Sequence, residues 1–247
     1  MSARVSIITP FYNISHEQFW KSHNSIMAQT SKDFEWILVN DGSDNSDCAH
    51  PDYDILLERN YGASVARNVG FQISSGDIIT YLDMGDELAP DRVETLIDLF
   101  DEHRLNMLFS NYDIIDHNYM FRVDHFRMFD KVHPSDYLNS LQKNNISIPL
   151  GVAHTRKPFV EAGGFQRGIV CGEDGILWRR MIDKIPHNSI LFSDAVAGTY
   201  YVSESGQSRT QRRPDMGGFA FDGNLKDNGK YLDKNWYETY SSEGYYD

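Results

Sequence analysis

The chain is short of basic charge, nearly free of cysteine and without a long apolar run. Its 23 Lys and Arg stand against 36 Asp and Glu, a net charge of −13. That balance excludes the broad basic face that nucleic acid requires. An anionic ligand would need local compensation, from a divalent cation or from a few placed arginines. Arg67, Arg209, Arg212 and Arg213 are the candidates. Two cysteines, Cys48 and Cys171, make no disulfide framework and fit a reducing cytoplasm. No stretch approaches the roughly 18 apolar residues of a membrane span. Met1 to Arg4 lead straight into a strand with no apolar signal region. A cytoplasmic protein is expected, reaching any membrane-bound partner at the inner membrane surface. The nine histidines show no metal-ligand spacing, and no internal repeat is present.

What is present is an alternation of strand and helix. Val5–Ile8 predicts a strand ended by Thr9-Pro10. His16–Gln29 predicts a helix with Phe19, Ile26 and Met27 inward, capped by Ser15 with Gln18 in a capping box. Trp36–Val39 predicts a strand that breaks at the turn Asn40 to Asp44, and Ile55–Leu57 a short third. A helix over Ala63–Ile73, a strand over Ile78–Leu82, a helix over Asp91–Phe100 and a strand over Met107–Phe109 follow. This spacing predicts an α/β fold, a mostly parallel sheet with crossover helices. The second half is less regular: a helix over Pro134–Leu141, a strand over Ile146–Ala153, helices over Lys157–Ala162 and Gly172–Ile185, and strands over Ser189–Phe192 and Val196–Val202.

Two acidic runs carry the chemistry, Asp83-Met84-Gly85-Asp86 and Gly172-Glu173-Asp174-Gly175. The first leaves a strand end, where open α/β sheets bind ligands. One cluster can hold a metal on a phosphorylated donor while the other takes a proton from an acceptor. Turn formation and the helix dipole are the plainer accounts of the same residues.

Five segments in order resemble family 2 glycosyltransferases: Val5 to Asn13, Val39 to Asp44, Gly62 to Gly70, Tyr81 to Asp86, and Gly163-Gly164-Phe165 with Gly172-Glu173-Asp174. The resemblance covers about residues 4–203. It implies a GT-A fold, Rossmann-like with a small antiparallel acceptor-side part, and inverting transfer from a nucleotide sugar, UDP-linked, to a glycan or glycolipid. Residues 1–110 would be the nucleotide-sugar-binding half, 111–203 the acceptor-binding and catalytic half, and 204–247 a flexible loop and tail.

By the same resemblance, Thr9, Pro10, Phe11 and Tyr12 lie beside the base, one aromatic stacking on it and at least one in the core. Asp41 takes a base N–H or ribose hydroxyl, and Arg67 and Asn68 contact the nucleotide. Asp86, with Asp83, holds Mg²⁺ or Mn²⁺; Asp83 is also placed at the ribose. The family's Asp-x-Asp-Asp has Gly85 at its middle carboxylate, and its late histidine is absent from Tyr200-Tyr201-Val202-Ser203. Asp174 is the implied general base, with Glu173 positioning. Arg209, Arg212 and Arg213 can fold over the diphosphate, and Trp178 can line the acceptor site or pack in the core. A sugar-nucleotide nucleotidyltransferase and a non-catalytic sugar-binding module are the competing readings. The first would carry a basic, Gly-rich loop after strand one, which is lacking.

Overall fold

A computed structural model describes residues 3–44, 54–116, 136, 138–139, 147–169 and 172–202. Cys48, Cys171, Arg209, Arg212, Arg213, most of the Pro134–Leu141 segment and the 204–247 tail lie outside the described residues.

The strands are β1 (Val5–Phe11), β2 (Phe34–Asn40), β3 (Ile55–Leu56), β4 (Ile78–Tyr81), β5 (Glu87–Leu88), β6 (Met107–Asp116), β7 (Val152–Thr155) and β8 (Ile190–Val202). They form a single eight-stranded sheet in the order β3-β2-β1-β4-β7-β6-β8-β5. β1 pairs in parallel with both β2 and β4, while β7 is antiparallel to both β4 and β6. β6 therefore points the same way as β4. The chain winds from β1 outward to β2 and β3, then returns to β4 on the other side of β1. That reversal is the topological switch point at which such sheets bind ligands.

The helices are α1 (His16–Met27), α2 (Ala63–Ile73), α3 (Arg92–His103), α4 (Arg156–Ala162) and α5 (Glu173–Ile182). Ser15 and Gln18 form the expected capping box on α1. Met27 is not inward but 51% exposed, whereas Ile26 is fully buried. α2 packs on β1 and β2 so tightly that a Cβ on Gly70 would sit 2.5 Å from Ile8 Cγ2. α4 ends as predicted, with Gly163 as a left-handed cap. The core is continuous from Val5 to Ile182 and includes Trp178 and Phe165.

Several strand expectations need correction, and β6 is longer than the expected Met107–Phe109. β1 does not stop at Thr9-Pro10 but runs to Phe11. Its backbone faces alternate: Asp41 donates to Phe11 O on the β2 side, and Leu82 donates to Ile8 O on the β4 side. Pro10 thus turns its missing N–H toward β4, which has already ended, and costs no ladder bond. The predicted strand over Ile146–Ala153 is a 3₁₀ turn at Pro149–Gly151 followed by β7. The two late strands are one, β8, which crosses Ser193 to Val196 through register shifts against β6. Among the described residues no helix is long and apolar enough to cross a membrane.

Candidate active site

β1, β2 and β4 end at one edge, so Tyr12, Asp41 and the Asp83–Asp86 turn leave the sheet side by side. Asp41 is buried, and its two carboxylate oxygens accept from the Tyr61 and Gly62 amides at 2.8 Å each. Those bonds fix the entry to α2, where Gly62 has φ +95°. α2 then delivers Arg67.

Arg67 joins the two acidic runs. Its Nη2 donates to Asp83 Oδ1 and Oδ2 at 2.7 and 2.8 Å, and its Nη1 donates to Glu173 Oε1 at 3.2 Å. The side chain is 4% exposed and lies 5.3 Å from the Phe165 ring centre. Burial works against its charge, but the Asp83 and Glu173 carboxylates outweigh it and raise its pKa. A guanidinium suits this task because its planar fork serves two carboxylates at once.

The first acidic turn is held from below by α1. Ser22 Oγ accepts from the Gly85 amide at 2.9 Å and donates to Asp86 O at 2.8 Å. Ser25 accepts from the Leu88 amide, and the Gln29 side chain spans Ala89 O and the Val93 amide. Gly85 has φ +102°, which suits glycine, and a Cβ there would meet Gln18 Cγ at 3.3 Å. Asp86 is 5% exposed and its Oδ1 accepts from the Tyr201 amide at 2.9 Å. Burial drives its pKa well above the ordinary carboxylate range; Asp83 and Glu87 add to this, and Tyr201 and Lys21 oppose it.

Glu173 and Asp174 open α5, are both buried, and sit where the helix dipole favours negative charge. The Asp174 Oδ1 accepts from the Gly175 amide at 2.7 Å. Its charge is felt by Tyr112, whose pKa is raised by burial first and by Asp174 second. It also supports the charge of Arg179 against burial.

Several candidates are turned inward. Of the two alternatives for Trp178 the structure shows core packing: it is 1% exposed and donates to Ser147 O at 3.0 Å. Asn68 is fully buried, and its amide clamps the Phe165 backbone at 2.8 and 2.9 Å. It supports the site rather than facing a nucleotide. Thr9 is buried under Trp36, whose Nε1–H it accepts at 2.8 Å. Pro10 is buried in β1, and Phe11 packs with Ile14 and Leu38. Tyr12, 41% exposed, is the aromatic left facing outward. Of the four acidic candidates, Asp83 and Glu173 share the Arg67 guanidinium, and Asp86 and Asp174 are their neighbours within the two runs.

Lys21, Ser22, Tyr112 and Tyr201 were missed. For Ser22 a signal existed: Ser22, Ser25 and Gln29 recur at helical spacing where α1 should be apolar, and all are buried. Among the described residues no group of three or more acidic, His or Cys side chains could hold a metal. Asp83 and Asp86 still offer two hard oxygen donors from one turn. That fits Mg²⁺ or Mn²⁺ chemistry, in which one or two carboxylates are completed by substrate phosphates.

A mixed α/β sheet with an antiparallel β7 and carboxylates at the switch point has the GT-A arrangement. A sequence profile described as "Glycosyl transferase family 2" matches residues 6–159, more than half the chain, and the chain belongs to that family. It is 33% identical over 117 residues to the glycosyltransferase GlyA of Streptococcus pneumoniae, across 44% of this chain and 17% of that protein. It is 36% identical over 118 residues to the uncharacterized glycosyltransferase YibD of Escherichia coli, across 44% of this chain and 34% of that one. The fold is similar to S. aureus TarS 1-349 in complex with UDP, with TM-score 0.61, 20% identity, and coverage of 82% of this chain and 61% of that one. The chain thus spans less than two thirds of the length of each.

Proposed function

We propose that the chain transfers a sugar from a nucleotide sugar, UDP-linked, to a hydroxyl of a glycan or glycolipid, with inversion at the anomeric carbon. The observation that carries this reading is the single Arg67 guanidinium bonded to both Asp83 and Glu173. It sets a donor-side and an acceptor-side carboxylate cluster within one side chain's reach.

The exposed Tyr12 ring offers a stacking face for the base, while Asp41 would take a base N–H or ribose hydroxyl and Asp83 a ribose hydroxyl. The acceptor oxygen attacks the anomeric carbon as the bond from that carbon to the diphosphate oxygen breaks. Its proton passes to the Asp174 carboxylate as the oxygen turns acidic in the transition state. Glu173, fixed by Arg67, keeps the start of α5 in place. Asp86, with Asp83, would hold Mg²⁺ or Mn²⁺, which when bound offsets charge on the leaving diphosphate.

Asp174→Asn tests the reading. Transfer from UDP-sugars should fall by about 10²–10⁴-fold, while UDP affinity by calorimetry stays at the wild-type value. Retained turnover would remove Asp174 from its role.

A further inference from the structure

The α1 face that holds the acidic turn also carries a cation the reaction scheme has not used. Lys21 is half-buried, one position before Ser22, and its Nζ lies 3.8 Å above the centre of the Tyr201 ring. Tyr201 is itself fixed to the turn: its amide donates to Asp86 Oδ1 at 2.9 Å and its hydroxyl donates to Glu87. Among the described residues no carboxylate lies within ion-pair distance of the ammonium. A ring face holds an ammonium in place without consuming its N–H donors.

The turn beside it is poor in carboxylate. Gly85, at φ +102°, gives no side chain between Asp83 and Asp86. Both Asp83 oxygens already accept from Arg67, and one Asp86 oxygen accepts from Tyr201. Few ligands are left to concentrate positive charge through a metal, and the Lys21 ammonium is seated on Tyr201, which is bonded to both Asp86 and Glu87.

We propose that Lys21 is a donor-binding residue whose ammonium contacts the diphosphate of the nucleotide sugar at the Asp83–Asp86 turn, sharing with any divalent ion the charge that develops there. Lysine binds phosphate oxygens as a point charge and needs no planar fork. This inference rests on the donor reading above, and it makes binding only partly dependent on metal.

The test is titration calorimetry of the full chain with UDP and with uridine, in EDTA and in Mn²⁺, for wild type, Lys21→Met and Lys21→Arg. Lys21→Met should weaken UDP about tenfold or more, and more in EDTA than in Mn²⁺. Uridine, which lacks phosphates, should bind all three forms alike, and Lys21→Arg should recover most of the loss. Unchanged UDP affinity in Lys21→Met overturns the inference and leaves the donor reading standing. Equal loss of UDP and uridine also overturns it, since that is the mark of a purely structural lysine. A wild type that binds neither compound removes both the inference and the donor reading.

Discussion

At the scale of single residues, burial sets which protonation states the fold can hold. His154 is fully buried, stacked on Phe159, with its Nδ1–H donated to Thr155 O and its Nε2 accepting from the Tyr81 hydroxyl, each at 2.8 Å. Burial pushes its pKa down to about 4, and nearby Arg156 adds to that. The unfolded chain takes up a proton near pH 6.5 that the folded chain refuses until about pH 4. Stability from this group is therefore complete above pH 6.5 and lost as pH falls toward 4, on the order of 3 kcal/mol over the window. Urea midpoints at pH 7 and pH 4.5 should show a steeper drop for wild type than for His154→Gln; parallel curves would contradict it. None of this was readable in the chain, because a lone His between Ala153 and Thr155 gives no sign of what covers it. For Phe11 and Trp178 the core was one of the alternatives the sequence left open; for Asn68 it was not. The partners that turn all three inward are distant in sequence: Leu38 for Phe11, Phe165 for Asn68 and Ser147 for Trp178.

At the scale of elements, the local rules worked where they concern local physics. α2 was bounded correctly because Gly62 and an apolar period mark it. Ser15 and Gln18 announced their own capping box. β8 was split in two because Ser193 to Ala195 look like a turn, whereas pairing to β6 carries the strand across them. Arg67 could be assigned to a functional helix, but its bond to Glu173 spans 106 residues and no window contains both ends. The clamp between α2 and the loop after α4 is the clearest element-level prediction. Asn68→Ala leaves the buried Phe165 amide and carbonyl without partners, which should cost about 2–4 kcal/mol. Urea denaturation checks it, and a loss below 1 kcal/mol would mean the loop finds other bonds.

At the scale of the whole molecule, the switch point of the sheet gathers Tyr12, Asp41 and the first acidic turn at one edge, and Arg67 ties that turn to α5. On the roles proposed above, donor and acceptor sides should therefore fail together when the tie is loosened. Arg67→Lys keeps the charge but cannot fork across two carboxylates. Both UDP affinity and turnover should drop by about tenfold or more, measured by calorimetry and by steady-state transfer. Asp174→Asn should lower turnover alone, so the two variants separate coupling from chemistry. If Arg67→Lys leaves UDP affinity intact, the guanidinium serves only the acceptor side.

The shared guanidinium also restricts how such a protein can diversify. A change at Asp83 that suits a new donor is transmitted to Glu173 before any acceptor has altered. Adaptation to a different sugar would proceed most freely at rim positions such as Tyr12, which borders the edge without touching that contact. The inner carboxylates would have to drift in concert or stay as they are.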